Sequence, residues 1–217
     1  MTLLLSIFKV VGTEIVNKFL RFGYHESIAV TLNNELEPHA APMGVEYDEP
    51  HLILKPYRNT KTYANLISRP PLSLNFTSDS RYFFKAIFCQ KELVFDFIDR
   101  GEAPVIRGDF DLYVVGRAKL SGMAGERAVF LVTAEKVYEG PGSRLALSRA
   151  NNALLEALVY YTKVVALINE GYKDLTEYLN LLRINLNLVR KLGSHELIEM
   201  ANIVEGKLNG LLGDVLR

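Results

Sequence analysis

The chain predicts an α+β protein, with a small closed β-sheet over roughly its first two thirds and a helical subdomain over the rest. Three observations point there. Residues 26 to 138 contain successive segments with the two-residue alternation of strands, interrupted by two short helical stretches. The β and α segments do not alternate regularly, and no strand is followed by a G-x-G-x-x-G turn, so a doubly wound dinucleotide-binding sheet is not supported. At Gly140-Pro141-Gly142 the composition shifts, and apolar residues begin to recur at helical spacing. The expected division is therefore 1–140 for the sheet domain, with an N-terminal helix in 1–22, and 141–217 for the helical subdomain.

The N-terminal helix rests on Leu4, Ile7, Phe8, Val11, Ile15 and Phe19, spaced by three and four residues. Lys9 interrupts the apolar run and no basic region precedes it, so it does not read as a signal peptide. It also falls short of the roughly 20 apolar residues that span a bilayer. A first strand follows from Glu26 to Leu32, with Ile28, Val30 and Leu32 on one face, and Asn33-Asn34 turns the chain. The second, His39 to Tyr47, carries Pro42, which lacks a ladder donor, and Gly44, which lacks a side chain, so its backbone is open to something flat and close. A third runs from His51 to Tyr57. Asn59 or Thr60 then caps a helix to about Ile67, stopped by Ser68-Arg69-Pro70-Pro71, before a fourth strand ends at Asn75-Phe76-Thr77.

Ser80 to Cys89 fits a short helix capped by Asp79 or Ser80, with Phe83, Phe84 and Ile87 inward and Cys89 buried and inert. Residues 91–108 are mixed: Leu93 to Ile98 alternates weakly, then Arg100-Gly101 and Ala103-Pro104 break the pattern, and a long loop there suits either a cover over a substrate site or an ordinary surface loop. Two long strands, Phe110–Leu120 and Arg127–Tyr138, are joined by a hairpin loop at Ser121–Gly125 and would complete the barrel. Three helices follow: one marked by Leu154, Leu155, Leu158, Val159 and Val165, one from Leu175 to Lys191, and one from His195 to about Leu212. Gly171 and Gly193 act as stops, and Asp174 or Thr176 and Ser194 as caps.

Composition narrows the function. With 25 basic and 25 acidic side chains the net charge is zero, so no overall field recruits nucleic acid or an anionic membrane. The single cysteine excludes an intrachain disulfide and argues against cysteine-based metal sites, and a reduced cytoplasmic setting is expected. The four histidines form no i, i+4 pair and no H-E-x-x-H, so a metal site is not expected, and no G-x-S-x-G elbow announces a nucleophile. The helix start near Thr60 is the exception. It offers free N–H groups and partial positive charge, with Arg58, Thr60, Lys61 and Thr62 around it, and suits a phosphate monoester.

The ordered runs T-L-N-x-x-x-x-P-H-A-A-P-M-G-V, L-x-P-Y-R-N-T-K-T-Y-x-N-L and L-N-F-T-S-D resemble the flavin reductase-like FMN-binding split barrels. More narrowly, they resemble the mostly archaeal family known as domain of unknown function 447, over nearly the whole chain. The resemblance implies a homodimeric split β-barrel with FMN near the subunit interface. Position by position, it implies that Arg58, Thr60, Lys61 and Thr62 hold the FMN phosphate. It implies the isoalloxazine ring against the backbone of Ala41, Pro42, Met43 and Gly44, with Thr31 on the neighbouring strand. Asn75 would face the flavin from the fourth strand, with Asp79 just beyond and Tyr57 available to stack or hydrogen-bond. Arg144, Arg149, Asn151 and Asn152 open the helical region, where polar side chains either reach the cofactor or face water.

Two functions are consistent with this reading. One is a flavin-dependent oxidoreductase of unknown substrate, reduced by a nicotinamide or deazaflavin donor, with the cofactor carrying the chemistry. The other is a non-catalytic flavin-binding carrier, sensor or interaction protein whose helices form the interaction surface. A pyridoxamine-phosphate oxidase is a weaker fit, because no second basic cluster is apparent. No nucleic-acid or membrane partner is expected.

Overall fold

The structure is a computed structural model and describes residues 9–11, 16, 19–20, 23–48, 50–97, 103–141, 149–172 and 174–215. The chain divides into two compact units: Met1–Ser78 with Lys85–Ser143, and Asp79–Phe84 with Arg144–Arg217.

The first unit contains β1 (Lys9–Val11), β2 (Gly23–Leu32), β3 (Pro38–Asp48), β4 (His51–Leu54), α1 (Lys61–Ser68), β5 (Pro71–Phe76), β6 (Phe95–Asp96), β7 (Val105–Ile106), β8 (Leu112–Ala124) and β9 (Arg127–Glu139). Strand order is β1-β9-β4-β3-β2-β5-β8, and β8 also pairs with β9, so six strands close an antiparallel barrel with β1 as an extra strand. This is the split-barrel fold. Closure removes the free edges that an open sheet would expose.

The ladders explain how one strand serves three partners. The start of β9 pairs with β4, Leu54 opposite Phe130, while its end pairs with β1, Val11 opposite Val137. Here the sequence expectation needs correction. The apolar spacing places Val11 on an amphipathic helix, yet Lys9–Val11 is a strand, because Val10 and Val11 are β-branched and β9 offers an open ladder beyond β4. The rest of that expected helix lies outside the described residues, apart from three positions: Val16 and Leu20 are buried in the barrel core, and Phe19 meets Phe76 edge-on.

The hairpin turn also differs. Strand pairing continues to Ala124 opposite Arg127, and the chain reverses at Gly125-Glu126, not over Ser121–Gly125. An irregularity between Leu120 and Gly122 carries the ladder past the small residues, and Gly125, at φ +60, supplies the positive dihedral that a two-residue turn requires. A second irregularity at Val115/Gly116 brings the strands so close that a Cβ on Gly116 would sit 2.2 Å from the Thr133 carbonyl oxygen.

The barrel interior is filled by Ala29, Val45, Leu52, Leu54, Leu72, Leu74, Phe76, Leu112, Val114, Phe130 and Val132, with Leu66 of α1 and half-buried Tyr63 and Met43 against them. The outer side of β5 is covered by residues 103–106, part of the stretch expected to be loop; β6 and β7 pair there as a small second sheet. Ser73 donates to the Pro104 carbonyl at 2.6 Å. Asn33 holds the β2–β3 turn, accepting from the Glu37 N–H at 2.8 Å.

The second unit comprises α3 (Arg149–Asn169), α4 (Thr176–Leu192) and α5 (His195–Val215), together with the opening of α2 (Ser80–Phe88). Leu154, Leu158, Leu182, Leu186, Val189, Val204 and Leu208 are buried. Ser194 accepts from the Leu197 N–H as an expected cap, whereas α4 has Leu175 at its N-cap position and Asp174, one residue earlier, accepts from the Thr176 N–H. Among the described residues no helix is long and apolar enough to cross a membrane, and no cluster of His, Cys, Asp or Glu suits a metal.

Candidate functional site

The site forms where the chain leaves β4 and enters α1. The Pro56 carbonyl accepts from the Ala128 N–H at 3.0 Å, Tyr57 pairs with Arg127 in an antiparallel bridge, and the Arg58 N–H donates to the Glu126 carbonyl at 3.1 Å. The β8–β9 turn is thereby fixed beside the residues that precede α1. Thr60, in extended conformation, caps the helix: its Oγ1 accepts from the Tyr63 N–H at 3.3 Å and donates to the Tyr57 carbonyl at 2.7 Å. The Ala64 N–H bonds the Thr60 carbonyl. That leaves the Lys61 and Thr62 N–H groups free of protein partners among the described residues, at the positive end of the helix.

The side chains here are unusually unpaired. Arg58 and Lys61 are exposed, and neither makes an ion pair among the described residues. Thr62 is 2% exposed, and its hydroxyl has no protein hydrogen-bond partner among the described residues. Thr62 Oγ1 is not among the buried, unsatisfied atoms of the described residues, a class that holds only Arg69 Nε, so this hydroxyl keeps access to solvent beside the free helix N–H groups.

On β3, Ala41, Pro42, Met43 and Gly44 are half-buried and run opposite Ala29, Ile28, Ser27 and Glu26 of β2. A Cβ on Gly44 would meet nothing closer than Glu26 Oε1 at 3.9 Å, so there is room beside the strand. The Met43 side chain packs on the barrel core, and its carbonyl accepts from Ser27 Oγ at 3.0 Å.

The structure gives four of the expected ligand residues tasks within the protein. Thr31 is fully buried, and its Oγ1 accepts from Asn65 Nδ2 at 2.9 Å, tying α1 to β2. Asn75 is also fully buried: Nδ2 donates to the Ile28 carbonyl (2.9 Å) and Ser73 Oγ (3.0 Å), and Oδ1 accepts from the Ile106 N–H (2.9 Å). Its position outside the barrel wall explains this, since the odd residues of β5 face the 103–106 cover. Asp79 belongs to the second unit, where its carboxylate takes the Arg81 N–H and a bidentate grip from the Arg81 guanidinium. The Tyr57 hydroxyl accepts from Arg127 Nη2 at 2.7 Å. Among the other polar residues, Arg149 is exposed, Asn151 caps the Ser80 N–H at 3.0 Å, and Arg144 lies outside the described residues. Cys89 is half-buried, not fully buried as expected.

Two side chains near the helix start stand outside the expected site residues: His39, which the sequence reads as a solvated strand-end histidine and which is half-buried, and Arg127, which no pattern marks. His39, on β3 opposite Thr31, is held below the ordinary imidazole value, first by burial and then by the Lys61 ammonium, while a hydrogen bond with Gln90 acts the other way. Arg127 lies over the Tyr57 ring with its Cζ 4.1 Å from the centroid. Seventy positions separate Tyr57 from Arg127, so no local pattern signals their meeting.

A closed six-strand barrel with a polar helix start at its rim defines a flavin reductase-like split-barrel protein. More particularly, the chain belongs to the family described as "Protein of unknown function (DUF447) N-terminal domain", whose model matches residues 25–140. No curated protein matches it. Among solved structures, the FMN-bound protein MM1853 from Methanosarcina mazei, of the same DUF447 family, is 21% identical. It aligns over 86% of this chain and 95% of its own, with a TM-score of 0.70. The flavin reductase HpaC, solved with NADP+, is 14% identical over 62% of this chain and 90% of its own, with a TM-score of 0.48. The styrene monooxygenase flavin reductase of Pseudomonas putida S12 is 11% identical over 56% and 82%, with a TM-score of 0.45.

Proposed function

We propose that this chain binds FMN and acts as a flavin-dependent oxidoreductase. The observation that carries the reading is the α1 start, where, among the described residues, two unpaired cations and two free N–H groups converge with the solvent-accessible Thr62 hydroxyl. A phosphate monoester fits this donor set, whose cations make no ion pair with a carboxylate among the described residues. The FMN-bound state of the Methanosarcina mazei protein supports the choice of flavin. Arg58 and Lys61 hold the phosphate as charge partners, the Thr62 hydroxyl and the helix N–H groups orient it, and the Thr60 cap fixes the geometry. The half-exposed backbone of Ala41–Gly44 offers a flat surface for the ring. Bound flavin supplies hydride and single-electron transfer.

We further propose a homodimer as the working unit, as the family resemblance implies; a monomer in sedimentation at micromolar concentration would refute that part. The main test titrates FMN and riboflavin into wild type and the Arg58→Ala/Thr62→Ala variant, following flavin fluorescence. Wild type should prefer FMN and the variant should lose that preference; equal affinity for both flavins in wild type overturns the phosphate site. Anaerobic bleaching of bound flavin by NADH, NADPH or a reduced deazaflavin then tests turnover. Failure of all three donors would remove the oxidoreductase part and leave a flavin-binding carrier.

A further inference from the structure

We propose that Arg127 is a third cationic ligand of the anionic group seated at the start of α1, delivered by the β8–β9 turn and held in position by Tyr57. This rests on the phosphate-site reading and extends it to an element remote in sequence.

Three independent observations converge. First, backbone bonds fix the placement: Arg58 N–H to Glu126 carbonyl, Ala128 N–H to Pro56 carbonyl and the Tyr57–Arg127 bridge put position 127 across from the residue that precedes Arg58. Cross-bridge partners project their side chains to the same side of a ladder. Second, the guanidinium is already ordered. It lies 4.1 Å from the Tyr57 ring centroid and donates one Nη2 bond to the Tyr57 hydroxyl at 2.7 Å, which leaves its other N–H groups free for a forked grip. Third, its charge is uncompensated. Among the described residues Arg127 makes no ion pair, and neither does the adjacent carboxylate of Glu126. Surface arginines usually find a carboxylate or face open water. Here Arg127 is held on the Tyr57 ring, in the segment that leads through Arg58 to Lys61, two cations that also lack a carboxylate partner among the described residues.

A dianionic phosphate monoester is the chemical class that three cations and two helix N–H groups match best. A neutral flavin such as riboflavin gains nothing from Arg127. Tyr57 then acts as a positioning residue: it fixes the guanidinium plane and lowers the ordering cost of the forked bond.

The experiment compares FMN and riboflavin affinities for wild type, Arg127→Ala, Arg127→Lys and Tyr57→Phe, using the full chain. Arg127→Ala should weaken FMN by about tenfold or more, in the range of a lost charge-assisted bond, while riboflavin affinity changes less than about twofold. Arg127→Lys should recover part of the loss, since it keeps the charge without the fork. Tyr57→Phe should cost FMN a few-fold, roughly, by loosening the guanidinium. If wild type prefers FMN and Arg127→Ala keeps that full preference, Arg127 is not a ligand and the phosphate site stands without it. An equal loss for both flavins assigns Arg127 a structural role and overturns the proposal. A wild type that does not distinguish the two flavins removes the phosphate site and this proposal together.

Discussion

Replacing Asn75 by alanine separates a ligand-facing role from a structural one, because the structure assigns all its polar atoms to the protein. The Val94 carbonyl accepts from the Arg107 N–H. By the alternation of an antiparallel ladder, the next N–H, that of Ile106, points away from β6, and Asn75 Oδ1 receives it at 2.9 Å. Truncation leaves that N–H buried and unpaired, at a cost of about 1–3 kcal/mol, and removes the donor to the Ile28 carbonyl, worth about 1 kcal/mol more. The Ser73 hydroxyl keeps its bond to Pro104, so its loss is small. A total of about 3 kcal/mol, with an m-value of about 2–3 kcal/mol/M, lowers the urea midpoint by about 1 M. Under folding conditions FMN affinity should stay within about twofold of wild type. Asn75→Asp sharpens the test. At neutral pH its carboxylate faces the Ile28 carbonyl and destabilises; on acidification the protonated acid donates there, so the variant regains stability as pH falls. A tenfold or greater loss of FMN affinity in Asn75→Ala at an unchanged midpoint would refute the structural assignment.

Three further predictions rest on single features. Gly116→Ala should destabilise the barrel by about 3 kcal/mol or more, because the new methyl meets the Thr133 carbonyl, a backbone group that cannot move aside. Gly122→Ala in the same hairpin meets nothing within 4 Å and should change the midpoint little; equal effects in urea unfolding would defeat the close-approach argument. Thr60→Ala should cost about 1 kcal/mol by removing the α1 cap, read as a shifted midpoint at constant m. His39 predicts a pH slope. Its folded-state pKa lies below the ordinary 6.5, chiefly through burial and then through Lys61, while Gln90 opposes the shift. The unfolded chain therefore binds the proton more readily. The stabilisation is fully present above about pH 6.5 and is lost as pH falls through the folded value. His39→Gln should flatten this part of the stability–pH curve, and an unchanged slope would assign it to other groups.

Much of the barrel was legible because its strands obey short-range rules. Alternation located β2, β5, β8 and β9, and Pro42 with Gly44 marked β3 as the strand with room beside it. The α1 cap was legible for the same reason, since Thr60 acts on residues three positions away. Illegible features depend on partners distant in the chain. Lys9–Val11 has an apolar pattern that serves a helix or a strand, and only the open ladder of β9 decides between them. The hairpin turn moved because pairing tolerates small residues when a bulge absorbs them. Asn75 sits at a strand position whose outward face water would normally cover, and only the segment around Ile106 turns it into a buried junction.

Charge makes the same distinction at the site. The sequence carries equal numbers of acidic and basic side chains, so composition alone predicts no anion-binding surface. Local imbalance arises because the fold pairs its charges unevenly. Lys55 meets Glu46, Arg107 meets Asp96, Arg117 meets Glu135 and Arg190 meets Glu205, whereas among the described residues Arg58, Lys61 and Arg127 meet no carboxylate. A cation left unpaired in one place is ordinary, since exposed ion pairs contribute little and their absence costs little. Two at the helix start, with Arg127 held on Tyr57 three residues before the Thr60 cap, make the local field positive where N–H groups already point outward. The affinity that this arrangement provides for an anion must therefore weaken with ionic strength. The dependence should be steeper for wild type than for Arg127→Ala, because one fewer cation faces the phosphate in the variant.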